Sequence, residues 1–304
     1  MSGLIISRLR GAKFVFEVRD LWPESLVGTG ISDHTSLLYR SLLRLTTRLY
    51  RKSDHVVVVS PAFKKHIASH FDCAAGKISI VPNGVDVDWF EQAQALYIPE
   101  RDDRFVVSFI GTIGNAHGVD VVLRAAQLLR DRHPNVIFRI IGDGAERAKI
   151  EASIQEQGLQ NVEILPQQPR SKIPALIWNS DVCLVLLKRS EVFKTVIPTK
   201  MLEFMACGRP VMLAVEGQAL EILEEAGAGI AIPPEDAEAL ASAVLTLQSN
   251  PSLALAYGRS GAIYIREKLS RRSTAFEYER VLMRLFGGEP SVSVETIEKA
   301  AGVS

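Results

Sequence analysis

The stretch FKTVIPTKMLEFMACGRPVM, residues 193–212, reads as a turn, a short helix and the start of a strand. Pro198 can open the helix, because its fixed φ suits a first turn and its missing N–H is no loss there. Gly208 can end it in a left-handed conformation, and Pro210 leads into the apolar run Val211–Val215. Lys200 and Glu203, three residues apart, share one face near the helix start. Free N–H groups, a lysine and a carboxylate suit a ligand carrying both phosphate and sugar hydroxyls. The N–H groups and Lys200 would meet the anion, and Glu203 would accept from a ribose diol. The same spacing also fits a capped helix with one surface ion pair.

Working outward, short Val- and Ile-rich runs alternate with helical patterns along the chain. Strands are expected over 14–18, 55–59, 78–81, 105–110, 136–141, 162–165, 182–187, 211–215 and 229–232. Helices are expected over 36–52, 61–70, 118–132, 144–158, 171–179, 198–207, 218–226, 236–249 and 251–268. Runs apolar throughout fit strands buried on both faces of a parallel sheet, so the fold class is doubly wound α/β. Ligands in such sheets bind beyond the carboxyl ends of the strands.

A polar, proline-containing segment between Asp86 and Asp103 separates two sets of strands. The expected division is a partial N-terminal Rossmann-like domain over 1–88, a linker over 89–103 and a complete Rossmann-like domain over 104–250. Helices over 251–286 and a loosely ordered tail over 287–304 follow.

The 304 residues include 35 basic and 35 acidic side chains, and that balance gives no sign of nucleic-acid binding. Cys73, Cys183 and Cys207 lack metal-type spacing and favour a reducing, cytoplasmic setting. No apolar run approaches the roughly 20 residues of a membrane span. The expected helix over 36–52 carries Arg40, Arg44, Arg48, Arg51 and Lys52 with no acid. Such a face can rest on an anionic membrane surface, or it can simply be solvated.

Three strand-end loops carry further candidates. Gly111-Thr112-Ile113-Gly114 with His117-Gly118 follows the strand over 105–110, where glycines let a backbone approach a phosphate. Gly142-Asp143-Gly144 follows the next strand in the same way. Both fit equally a tight turn whose glycines relieve crowding. Glu17-Val18-Arg19-Asp20-Leu21-Trp22-Pro23-Glu24 ends the first strand with four charged groups beside a Trp. That concentration suits acceptor contact or general-base work.

Together these loops resemble glycosyltransferase family 4, enzymes of the GT-B fold that use nucleotide-sugar donors. The resemblance is strongest to the bacterial O-antigen and capsule branch and its fucosaminyltransferase-like members. It rests on FEVRDLWPES (16–25), VPNGVD (81–86), GTIGNAHG (111–118), IGDGAE (141–146), the 193–211 segment and EEAGAGIAIPPED (224–236). It implies two facing Rossmann-like domains, the N-terminal one incomplete here, since the family's first strands and their glycine loop have no counterpart. That reads as an N-terminally shortened copy.

By the same resemblance Gly111, Thr112 and Gly114 would line the donor diphosphate, with His117 and Lys200 nearby. Gly142 and Gly144 would border the nucleotide, Glu203 would reach the ribose, and Lys194 and Thr195 would sit by the donor sugar. Arg19 and Asp20 would face the cleft from the acceptor side, and the helices over 251–286 would cross back to pack on the N-terminal domain. No metal or other cofactor is implied. The implied partners are a nucleotide sugar, UDP-linked by preference, and a lipid-linked saccharide at the inner membrane face, with peripheral membrane contact through 36–52. Three departures stand out. Thr195 occupies the place of the first Glu of the family's E-x7-E motif. Thr112 and His117 stand where many members carry Arg and Lys. The N-terminal strands are missing. The alternatives are an inactive remnant that binds nucleotide or a partner, and a GT-B nucleotide-sugar epimerase.

Overall fold

The computed structural model describes residues 1–28, 32–99 and 103–287. The part of the expected linker at 100–102 and the expected tail beyond 287 lie outside the described residues. Two parallel sheets organise the chain. The first runs β1 (Val15–Val18), β2 (His55–Val58), β3 (Ile78–Ile80) in chain order. Helices α1 (Ser2–Arg10), α2 (Glu24–Gly28), α3 (Leu37–Lys52) and α4 (Pro61–His70) accompany it. Ser36 and Ser60 cap α3 and α4, each side chain accepting from the N–H three residues on.

Helix α5 (Val87–Ala95) leads to the second sheet. That sheet alternates with helices throughout: β4 (Phe105–Ile110), α6 (Asp120–Leu129), β5 (Val136–Ile141), α7 (Arg147–Gln157), β6 (Val162–Leu165), α8 (Ile173–Trp178), β7 (Val182–Leu186), α9 (Thr199–Ala206), β8 (Val211–Ala214), α10 (Gln218–Ala226), β9 (Gly229–Ala231) and α11 (Ala237–Ser249). The spatial order β6-β5-β4-β7-β8-β9 is that of a doubly wound nucleotide-binding sheet. It reverses between β4 and β7, so the crevice for a ligand opens beyond the carboxyl ends of those two strands.

The sequence dictates this burial. In β4, Val107 and Phe109 face one apolar layer with α6 and α11, and Ile110 faces the other with α8 and α9. Strands apolar on both faces gain burial on both, at roughly 1.5–3 kcal/mol for each fully buried large side chain.

One helix departs from the expected layout. The segment expected as linker contains most of α5, which Asp86 caps and whose Phe90 is buried in the core of the second sheet. The described residues close with α12 (Pro251–Lys268) and α13 (Arg271–Phe286), within the helical stretch expected over 251–286. Ile265 of α12 is buried with the second sheet, while Val281 of α13 packs on Val57 and Val81 of the first. Gly84 stands where α13 comes closest, since a Cβ there would run into Arg271 backbone and Thr274. Asp86 pairs with Arg271 at 2.7 Å beside that contact.

Candidate functional site

The crevice begins with α9. Pro198 is its N-cap residue rather than its first turn, and Gly208 closes it with φ +66°. Lys200 and Glu203 leave that helix toward different neighbours. The Lys200 Nζ lies 4.2 Å from the centre of the Phe109 ring and is buried without a hydrogen-bond partner among the described residues. A Cβ on Gly111 would come within 3.4 Å of it, so the amine sits directly against the first glycine loop. The expected alternative, an ion pair between Lys200 and Glu203, does not form.

His117 completes this group. Its ring meets Phe109 edge-on with centroids 6.0 Å apart, and its Nδ1 is likewise buried and unpartnered. Burial pushes the imidazole down to about 4, with the neighbouring Lys200 adding to the effect. Burial alone pushes the Lys200 amine down to about 7. Gly111, Gly114, His117 and Lys200 are therefore brought together around one ring. The N–H groups of Thr112 and Gly114 find no acceptor among the described residues. Those of Gly111 and Ile113 are spent on Ile141 and Asp143 carbonyls, at 2.9 and 2.8 Å.

Gly142 and Gly144 support the first loop. A Cβ on Gly142 would run into the Gly111 carbonyl oxygen, and one on Gly144 would stand 2.5 Å from that of Ile113. Both have φ near +150°, where only glycine is comfortable. Both positions therefore need glycine for loop-on-loop packing, which is compatible with either of the two readings the sequence leaves open.

Lys194 and Thr195 lie in a separate short turn over 193–195. Lys194 pairs with Glu191 at 2.6 Å and Glu216 at 3.6 Å, and the Glu191 contact holds its ammonium above the usual range. Thr195 donates to the Val192 carbonyl at 2.8 Å. Glu203, 15% exposed, is held by both guanidinium nitrogens of Arg170, at 2.7 and 2.9 Å. Sequence reading missed Arg170. The signal was its place in the loop after β6, at another strand's carboxyl end.

Arg19 and Asp20 belong to the first sheet, at the end of β1. There Glu17, Arg19, Asp20, Trp22, Thr46 and Tyr50 line a cavity of about 410 Å³. Arg19 pairs with Glu17 at 2.6 Å and donates to the Asn83 side chain at 2.5 Å. Among the described residues the Asp20 carboxylate has no partner.

A twice-sheeted α/β chain with a loop-and-lysine pocket at its topological switch point has the architecture of GT-B glycosyltransferases. A family profile described as glycosyl transferases group 1 matches residues 95–262, more than half of the chain. The chain belongs to that family. A second profile, Glycosyltransferase Family 4, matches residues 1–89. WbjE of Pseudomonas aeruginosa, named as a probable glycosyltransferase, is 28% identical over 76% of this chain and 58% of its own length. WcaI of Escherichia coli, whose name assigns it to colanic acid biosynthesis, is 26% identical over 79% of this chain and 61% of its own. The chain thus spans about three-fifths of the length of these relatives.

Among solved structures, Anabaena Alr3699/HepE in complex with UDP superposes with a TM-score of 0.76 at 19% identity. That match covers 93% of this chain and 75% of the other. WaaG, a glycosyltransferase of lipopolysaccharide biosynthesis, gives 0.65 at 17%, over 90% and 75%. At these identities the likeness is one of fold, and the fold is GT-B.

Proposed function

We propose that this chain transfers a sugar from a nucleotide-sugar donor, UDP-linked, to a lipid-linked saccharide in the making of a surface polysaccharide. Its nearest functional kin would be the fucosaminyltransferase-like branch. One observation carries the reading: a buried lysine amine and a buried imidazole nitrogen, both unpartnered among the described residues, beside a glycine loop whose Thr112 and Gly114 N–H groups find no acceptor there. A buried polar atom without a partner costs stability, and a diphosphate would satisfy all of these groups at once.

In this reading the acceptor-side domain spans 1–88 and the donor-side domain 104–250. Lys200, His117 and the Thr112 and Gly114 N–H groups hold the diphosphate. Charge grows there as the bond from the anomeric carbon to the diphosphate oxygen breaks, and these groups stabilise it without a metal. Gly142 and Gly144 shape the nucleotide side, Glu203 accepts from the ribose, and Lys194 and Thr195 flank the sugar. Arg19 orients the acceptor, and Asp20 takes the proton from its hydroxyl as the new glycosidic bond forms.

No helix among the described residues is long and apolar enough to cross a membrane. Arg40, Arg44, Arg48, Arg51 and Lys52 all point outward from α3, and Leu37 and Leu38 are exposed at its start. We therefore assign α3 to a peripheral contact at the inner face of an anionic membrane. Thermal unfolding with added nucleotides tests the donor site, because a ligand bound only by the folded state raises the midpoint. UDP should raise it, and Lys200→Met should diminish the rise. No response to UDP or GDP at millimolar concentration overturns the reading.

A further inference from the structure

The Arg170–Glu203 pair is more than a surface ion pair. Glu203 lies three residues beyond Lys200 on α9, about 4.5 Å further along the helix axis. If Lys200 meets the diphosphate, Glu203 stands one step toward the nucleoside. Arg170 grips both oxygens of that carboxylate, at 2.7 and 2.9 Å. Its guanidinium is itself laid on the Trp89 ring, 4.6 Å from the centroid, with Phe90 at 5.6 Å. Asp86 caps the helix that carries both rings, accepting from the Trp89 N–H at 3.2 Å. The platform beneath Arg170 is thus fixed by packing and by a cap.

A planar fork fixes the plane of a carboxylate in a way that a lysine cannot. It also leaves each carboxylate oxygen a further lone pair. Two such acceptors are what a vicinal diol requires. Resting on the nucleotide-sugar reading above, we propose that Arg170, seated on Trp89, is the positioning residue that orients Glu203 and so makes nucleotide binding depend on the ribose 2′ and 3′ hydroxyls. It touches neither the sugar nor the phosphates. It acts through Glu203.

The test compares dissociation constants for UDP and 2′,3′-dideoxy-UDP, measured by calorimetry on the wild-type chain, Arg170→Met, Arg170→Lys and Glu203→Gln. GDP with its dideoxy analogue forms a second pair. Hydrogen bonds to a charged acceptor imply a wild-type preference for the ribonucleotide of about tenfold or more. In Arg170→Met this preference should shrink to about threefold or less, through weaker UDP binding with the dideoxy constant unchanged. Arg170→Lys, which keeps the charge and loses the fork, should behave like Arg170→Met. Both ligands are measured on the same protein, so a general loss of stability does not imitate the change in ratio.

A full preference in both Arg170 variants overturns the proposal. So does tighter UDP binding in Arg170→Met, which would make Arg170 a competitor of the ribose. If Glu203→Gln loses the preference while Arg170→Met keeps it, the ribose contact stands and only the role of Arg170 falls. Binding of neither UDP nor GDP by the wild-type chain overturns the nucleotide reading and this inference with it.

Discussion

At the carboxyl end of β4 a lysine amine and an imidazole nitrogen are buried with no partner among the described residues, whereas at the carboxyl end of β1 the arginine is exposed and already paired. Both places are strand ends of parallel sheets and both carry charged side chains. Their energetics are opposite. Leaving Lys200 and His117 unsatisfied burdens the ligand-free fold, because desolvated polar atoms without partners are unfavourable. Arg19, 63% exposed and bonded to Glu17 and Asn83, gives up little in water and gains little from its partners. The first cluster carries an unmet polar demand among the described residues; the second is exposed, already paired and beside a cavity.

That contrast can be broken most sharply at Asp20. If Asp20 is the proposed base, Asp20→Asn should lower sugar transfer by a factor of about 10²–10⁴ while leaving the UDP-induced thermal shift unchanged, because it would touch the acceptor hydroxyl and not the nucleotide. Equal loss of nucleotide binding would tie the two strand ends into one site. Next in size comes Gly142→Ala. The new methyl would run into the Gly111 carbonyl at a φ of +154°, and unfolding free energy should fall by about 3 kcal/mol or more. A denaturant midpoint equal to wild type would show that the two glycine loops can part.

Lys200→Met should weaken UDP binding about thirtyfold in calorimetry, yet stabilise the empty protein by removing a buried amine. Its pH behaviour sharpens the point. The folded-state value lies near 7 against an ordinary 10.5, so between these values the unfolded chain binds more protons. Stability contributed by this residue therefore rises with pH through that window, by at most about 1.4 kcal/mol per pH unit. Denaturation curves at pH 7 and pH 9 should show the wild-type chain gaining on Lys200→Met. UDP affinity should move the other way, falling above pH 7 as the amine loses its proton. Parallel pH profiles for the two proteins would mean that the amine finds a partner in solution. The smallest effect belongs to Arg19→Ala, which should change stability by less than about 1 kcal/mol in the same assay.

Much of the second sheet was legible because its strands are apolar on both faces. Phe105–Ile110, Val136–Ile141 and Val162–Leu165 are strands at the residues expected. Helix α5 was not legible. It follows a turn sequence, ends in the polar run before Asp103, and has few apolar residues beyond Trp89 and Phe90 to mark a buried face. The short helix α1 was missed because its apolar residues fall in one run, Leu4–Ile6, with only Leu9 beyond it, and of these only Leu4 is buried.

In the site, the sequence shows which loops hold glycines and charges but not which of them meet. Lys200 and Glu203 share a helix face on spacing alone, yet one turns under Phe109 and the other toward Arg170, 33 residues away. Those choices are made by the layers on either side of α9, and local periodicity carries no trace of them. The close packing of Gly142 and Gly144 against the first glycine loop is equally invisible in the sequence, because it joins loops that follow different strands.

The path of α13 sets how this gene can be divided. The polar stretch before Asp103 looks like the natural place to cut, but a piece ending there would leave Val57 and Val81 without Val281. It would also strip Asp86 of Arg271 and open the backbone bridge between Val85 and Ser270. A stable unit built on the first sheet must carry the sixteen residues of α13 with it, which calls for a linked design in place of simple scission. The first sheet and α13 are, in engineering terms, one module.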